Sequence, residues 1–188
     1  MRKEFVIIAG PNGSGKSTLA SQIEFIGEFI NADKCERNYL SDILNKEERE
    51  QRAVLLVTKE IQESIKRGKS FAFETVFASK QIPSFIKMAK ESGYKIILHY
   101  IATENPDISI ARVAKRVSQG GHDVPAQKIV SRYVMTLEIL PSLLDFVDKA
   151  FVYDNSGEHF VPFLVKEDGQ IKIIDTPPEW AKKALLLF

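Results

Sequence analysis

Cysteine is almost missing from this chain. Cys35 stands alone among 188 residues, which excludes an internal disulfide and fits a reducing compartment. Histidine is scarce as well, with three in total, and no second His or Cys lies at ligand spacing, so the sequence carries no zinc signature. An excess of either charge is also lacking: 26 Lys+Arg against 25 Asp+Glu leave a formal net charge of +1. That balance argues against nucleic acid or a membrane surface as the main partner and leaves small molecules. No apolar run approaches a membrane span, and the run inside MRKEFVIIAGPNG is too short for a signal peptide; the expectation is a soluble, cytoplasmic protein. Repeats, low-complexity tracts and Gly/Ser/Pro-rich linkers are absent, so one domain over residues 1–188 is expected, large enough to bury a core without staples.

What is present is alternation. Short runs rich in β-branched and aromatic residues separate longer stretches of helical period, the pattern of βαβ units in an α/β domain with a mainly parallel sheet. Five parallel strands are predicted at Phe5–Ala9, Glu28–Ile30, Ser70–Phe73, Lys95–Ile101 and Ala150–Tyr153. A long helix is predicted from about Lys46 to Arg67, with Val54, Val57, Ile61 and Ile65 near one face and Gly68 ending it. Another starts at Asn105-Pro106, a cap followed by the residue suited to the first helical position. Pro83 and Pro141 mark helix starts or kinks. Near the end, HFVPFLVKEDGQIKIID reads as a hairpin turning at Asp168-Gly169, followed by a last helix in PPEWAKKALLLF. Trp180 and the apolar ALLLF end are expected to be exposed, covering a sheet edge or touching another chain. Right-handed crossovers would bring the C-terminal ends of the parallel strands to one edge, where ligands bind.

At that edge the chain reads GPNGSGKST over residues 10–18, directly after the first predicted strand. This fills the P-loop (Walker A) pattern G-x-x-x-x-G-K-[ST]. The segment Gly10, Pro11, Asn12, Gly13, Ser14, Gly15 can curl so that backbone N–H groups face phosphate oxygens. Lys16 supplies charge at the β/γ position, Ser17 can hold Mg²⁺, and Thr18 follows in the helix whose dipole points at the same place. Leu19 and Ile23 continue the helical pattern. The plainer alternative is a Gly-rich structural turn.

The polar residues past the other strands form a coherent set. Asp33, in Asn31-Ala32-Asp33, is placed to deprotonate an acceptor hydroxyl near the γ-phosphate, or else merely caps the next helix. Glu74 can serve a Mg²⁺-bound water or the acceptor, or be a solvated strand end; Thr75 adds a hydroxyl beside it. In RVAKRVSQGGHDVPAQKIVSRY, residues 112–133, Arg112 and Arg116 share a helix face and Arg132 returns from a second helix. Such a lid-like segment, hinged at Gly120-Gly121, could bring Arg116 and Arg132 onto the transferring phosphoryl group, Arg112 with less force. The alternative is arginines on a solvated face with packed stems. Lys115 reads as solvated. His122 reads as a nucleotide contact or a turn residue. Asp154-Asn155-Ser156 could touch the nucleotide base or form an Asx turn.

In ordered sequence, GPNGSGKST, Asn31-Ala32-Asp33, SFAFET, RVAKRVSQGGHDVP with Ile129 and Arg132-Tyr133, and VYDNS resemble the zeta-toxin family of P-loop kinases, from about Phe5 to Ser156. The resemblance implies a three-layer α/β/α fold like nucleoside-monophosphate kinases. It implies ATP as donor, with Lys16 on its phosphates and Ser17 on Mg²⁺. It further implies Asp33 as catalytic base, Glu74 and Thr75 toward the acceptor, and Arg116 with Arg132 as a transition-state clamp. Characterised members phosphorylate UDP-N-acetylglucosamine on a sugar hydroxyl and are blocked by an antitoxin partner, so both become expectations. This chain departs from them in being shorter and in carrying one arginine in Ser131-Arg132-Tyr133 where short members often have two. Two alternatives stand beside this expectation: a kinase of the same fold acting on a nucleoside, nucleotide or other sugar, and an ATP-binding switch without phosphoryl transfer.

Overall fold

A computed structural model of the chain describes residues 3–77 and 82–187. Five parallel strands form its centre: β1 (Lys3–Ala9), β2 (Glu28–Asn31), β3 (Phe71–Thr75), β4 (Tyr94–Ala102) and β5 (Lys149–Asp154). All five expected strands are present. The expected hairpin, β6 (Val161–Glu167) and β7 (Gln170–Ile173), does not stand apart but pairs antiparallel onto β5, giving seven strands in the order β2-β3-β1-β4-β5-β6-β7. It turns at Asp168, which has positive φ, and Gly169.

Helices follow the strands: α1 (Lys16–Ala20), α2 (Ala32–Tyr39), α3 (Lys46–Lys66), α4 (Ile82–Glu91), α5 (Pro106–Ser118), α6 (Ala126–Phe146) and α7 (Glu179–Leu185). No described helix is long and apolar enough to cross a membrane. Asn105 caps α5 by accepting from the N–H groups of Asp107 and Ile108, an arrangement worth about 1 kcal/mol. Pro83 sits in the first turn of α4, and α6 runs on through Pro141.

The two sheet faces are covered unequally. One carries the main core: Phe5, Ile7, Phe71, Leu98 and Val152 pack under α3, α4, α6 and α7. On the other, Val6, Ile8, Ala72 and Ile101 are covered by Leu19 of α1 and by Ile23, Phe25 and Phe29. Helix α1 has only five residues, so Ile23, expected on that helix, packs from the turn after it. Two further expectations fail on packing. Ala53, not Val54, points inward from α3; the α3 stripe is Ala53, Val57, Ile61, Ser64 and Ile65, and Val54 is 50% exposed. Trp180 is 4% exposed, not on the surface: its ring packs against Tyr100 and Phe163. The end of the ALLLF stretch, Phe188, lies outside the described residues.

Helices α5 and α6 and the turn between them enclose a small cluster of their own, Val113, Val124 and Ile129. The register Ala9 opposite Thr75, Asn31 opposite Glu74 and Ala102 opposite Asp154 brings the five C-terminal strand ends to one edge, beneath that helix pair.

Candidate active site

The loop between β1 and α1 is pressed into this edge. A side chain on Gly10 (φ +146°) would meet the carbonyl oxygen of Ile101 at 2.0 Å, and one on Gly15 (φ +100°) would meet the Asn155 amide nitrogen at 2.4 Å. Only glycine serves at both places, because backbone or a buried amide stands where a Cβ would go. Lys16 is buried, and its Nζ donates to the carbonyl oxygen of Pro11 at 2.8 Å. Burial lowers its pKa to about 8; Glu74 and Asp33 oppose that shift, while Arg116 and Arg132 reinforce it.

Across from the loop stand the carboxylates. Asn31, not Asp33, caps α2 by accepting from the Lys34 N–H. Asp33 is in the first turn beyond the cap, and its side chain lines the cleft with no hydrogen bond or ion pair among the described residues. Ser17 Oγ donates to Glu74 Oε1 at 2.9 Å. The other oxygen, Oε2, is buried without a partner among the described residues. Thr75 accepts the Phe77 N–H at 3.0 Å and thus shapes a turn while also lining the cleft. Deeper along the same wall, Glu36 pairs with Arg49 at 3.5 Å, and burial raises its pKa, with Asp33 and Glu50 adding to the effect.

The arginines arrive from above. Arg132 Nη1 donates to Asn12 Oδ1 of the phosphate loop at 3.0 Å, and Arg116 Nη2 donates to the His122 carbonyl at 2.6 Å. Arg116 lines the cleft, and its Nε is buried and unpartnered among the described residues. Arg112 points elsewhere, its Nη1 donating to the Asn155 carbonyl at 2.7 Å and its Nη2 to the Gly157 carbonyl at 3.0 Å. It is a clamp on the loop after β5. The two glycines expected as a hinge close the end of α5, where the N–H of Gly121 donates to the Arg116 carbonyl at 2.9 Å. His122 lines the cleft; Lys115 is exposed. Asn155 is buried and its Nδ2 donates to the Ser14 carbonyl at 2.8 Å, while Asp154 forms the Asx turn by accepting from Ser156. The Asx-turn reading of that segment holds, and Asn155 touches the phosphate loop.

Two cavities meet at Gly15, Thr18 and Arg112. A cleft of about 590 Å³ holds Lys16, Ser17, Asp33, Glu74, Arg116 and Arg132 together. Beside it a pocket of about 450 Å³ lies between Thr18, Gln22, Asn155, Gly157, His159 and Phe160. The sequence holds no signal for Gln22, His159 or Phe160, which stand outside any motif; Phe160 reaches the loop only because β6 folds back along β5.

The strand order, the phosphate loop and the helix pair α5–α6 above the strand ends define a P-loop kinase fold. The chain belongs to the zeta toxin family, whose model matches residues 1–175. It is 31% identical over 140 residues to an uncharacterized protein of Haemophilus influenzae, covering 71% of this chain and 94% of that one. Among solved structures it is similar to a chain of the AvrRxo1-ORF1:AvrRxo1-ORF2 complex, with a TM-score of 0.78, 15% identity, and 98% of this chain aligned to 64% of that chain. It is also similar to the PezAT chromosomal toxin-antitoxin system of Streptococcus pneumoniae, with a TM-score of 0.66, 17% identity, and 100% of this chain aligned to 80% of that chain. At these identities the two structures show the shared fold. The chain spans under two thirds of the AvrRxo1 complex chain.

Proposed function

We propose that the protein is an ATP-dependent phosphotransferase that moves the γ-phosphate to a hydroxyl of a small-molecule acceptor. One observation carries this reading. The phosphate loop with Lys16, the unpartnered Asp33 carboxylate and the two arginines Arg116 and Arg132 face a single cleft.

In this account the base of ATP occupies the pocket beside Asn155 and Phe160, and the triphosphate lies along the loop, where Lys16 leaves Pro11 to meet it. Asp33 takes the proton from the acceptor hydroxyl, whose oxygen bonds to the γ-phosphorus as the bond to the β–γ bridging oxygen breaks; ADP leaves. Negative charge gathers on the γ-oxygens and the leaving oxygen, where Lys16 and the two guanidinium groups stabilise it. Mg²⁺ fits Ser17 and Glu74: a hydroxyl and a carboxylate lie 2.9 Å apart, with one buried carboxylate oxygen unpartnered among the described residues. When bound there it would neutralise phosphate charge. Glu74 then serves the metal and Thr75 the acceptor side.

Family membership favours a UDP-amino sugar, with UDP-N-acetylglucosamine first, as the acceptor in the cleft lined by Glu36, Val54, Thr58 and Phe85. The toxin-antitoxin origin of the PezAT neighbour supports an antitoxin as protein partner. The test is incubation with Mg-ATP and a panel of UDP-sugars, free sugars and nucleosides, read by mass spectrometry. One added phosphate on an acceptor is the expected result. ATP binding without any product across the panel, or with hydrolysis only, would favour the switch.

A further inference from the structure

The segment after residue 175, beyond the family match, carries α7 and the single tryptophan. That tryptophan is tied to the nucleotide side of the cleft. Trp180 Nε1 donates to Asp154 Oδ1 at 2.8 Å. The same carboxylate accepts the Ser156 hydroxyl on Oδ1 at 2.7 Å and the Ser156 N–H on Oδ2 at 3.2 Å. Ser156 Oγ in turn accepts the Glu104 N–H at 2.7 Å. Between Asp154 and Ser156 sits Asn155, whose backbone N–H donates to the Ala102 carbonyl at 2.8 Å and whose side chain holds the Ser14 carbonyl of the phosphate loop. Arg112 clamps the Asn155 and Gly157 carbonyls from the lid side.

The loop at residues 154–157 is therefore fixed from three directions, and one of them is α7. A hydrophobic anchor would have sufficed for packing: the Trp180 ring already lies 5.5 Å from Phe163 and 6.2 Å from Tyr100, centroid to centroid. The indole N–H adds direction, because it donates to the carboxylate that shapes the turn. Asn155 and Gly157 line the pocket of about 450 Å³ beside the phosphate loop. A loop that shifted by an ångström would misplace the wall of that pocket, whereas the phosphate loop, tied to it by the one bond from Asn155 to the Ser14 carbonyl, keeps its separate tie from Arg132 to Asn12.

We infer that Trp180 is a positioning residue for nucleotide binding: through Asp154 it sets the loop that forms the base side of the ATP pocket, so the C-terminal helix is part of the nucleotide site. This rests on the reading that the cleft binds ATP. It assigns Trp180 no contact with substrate.

Trp180→Phe keeps the aromatic packing and removes the donor. Calorimetry on the purified full chain, with Mg²⁺ and a non-hydrolysable ATP analogue, should show affinity weakened by roughly 3- to 10-fold. Affinity for inorganic tripolyphosphate, which has no base, should stay within about twofold. Ser156→Ala, which cuts the same network at its other end, should give the same split and decides the matter if Trp180→Phe does not fold. Unchanged affinity for the ATP analogue in a folded variant would overturn the inference, as would an equal loss for both ligands, which marks general destabilisation. Absence of ATP-analogue binding by the unmodified chain would instead remove the functional reading above, and this inference with it.

Discussion

On the nucleotide wall of the cleft, polar groups are held by the chain itself: Lys16 by Pro11, Asn12 by Arg132, the Ser14 carbonyl by Asn155, and the Asn155 and Gly157 carbonyls by Arg112. Across the cleft, Asp33 has no hydrogen bond or ion pair through its side chain, and one oxygen of Glu74 has no partner, among the described residues. The first wall is preorganised for a ligand it must grip in one way. The second leaves these carboxylate oxygens unpaired, with Asp33 exposed and Glu74 half-buried; in the proposed reaction they would serve the proton, the metal and the acceptor. Binding strength should thus be lost by damage to the first wall, and chemistry by damage to the second.

The sharpest way to break this contrast is Lys16→Ala, which should lower ATP turnover by roughly 10³-fold and weaken ATP binding; unchanged rate and affinity would remove the nucleotide wall from the account. Arg116→Ala and Arg132→Ala come next. Each should reduce kcat by roughly 10²-fold with a smaller change in KM, and a change confined to KM would mean that they only bind. Glu36→Gln probes the deep end of the acceptor wall, where the carboxylate is largely buried beside Arg49. It should change the KM of the acceptor by roughly 3- to 10-fold and leave that of ATP alone; the opposite pattern would place Glu36 with the nucleotide.

The smallest expected effect is protonic. Lys16 in the free protein has a pKa of about 8, lowered chiefly by burial. ATP phosphates favour the charged amine and raise that pKa again. Binding at about pH 8–9 should therefore take up part of a proton and weaken as pH rises through that window, with no uptake at about pH 6.5. Titration calorimetry in two buffers of different ionisation enthalpy measures this, and net proton release would contradict it.

Much of the nucleotide wall is legible in the sequence, because phosphate binding by backbone needs glycine at fixed spacing and leaves the same trace wherever it occurs. The five parallel strands are legible for a similar reason: strands covered on both faces read as short continuous apolar runs. What could not be read depends on packing between distant segments. Val54 and Ala53 both suit a helix, and only the way α3 lies on the sheet turns Ala53 inward. Trp180 has the composition of a surface contact; its burial follows from β6 and β7 extending the sheet and bringing α7 back over Tyr100. Arg112 and Arg116 are alike by spacing, and they separate only because the loop after β5 offers its carbonyls to the first. Asp33 shows the same limit from the other side: its side chain is left free for the proposed role as base because Asn31 takes the cap.

The measurement that tests the central claim most directly compares the chain with Asp33→Asn, at saturating Mg-ATP and with the acceptor identified from the panel. Phosphorylated acceptor is followed by mass spectrometry and ATP affinity by calorimetry in the same preparations. ATP affinity within about twofold and transfer slower by roughly 10²- to 10⁴-fold is the predicted result. Transfer at the original rate, or ATP affinity and transfer falling together, would contradict the assignment of Asp33 as the base that turns this cleft into a phosphotransferase.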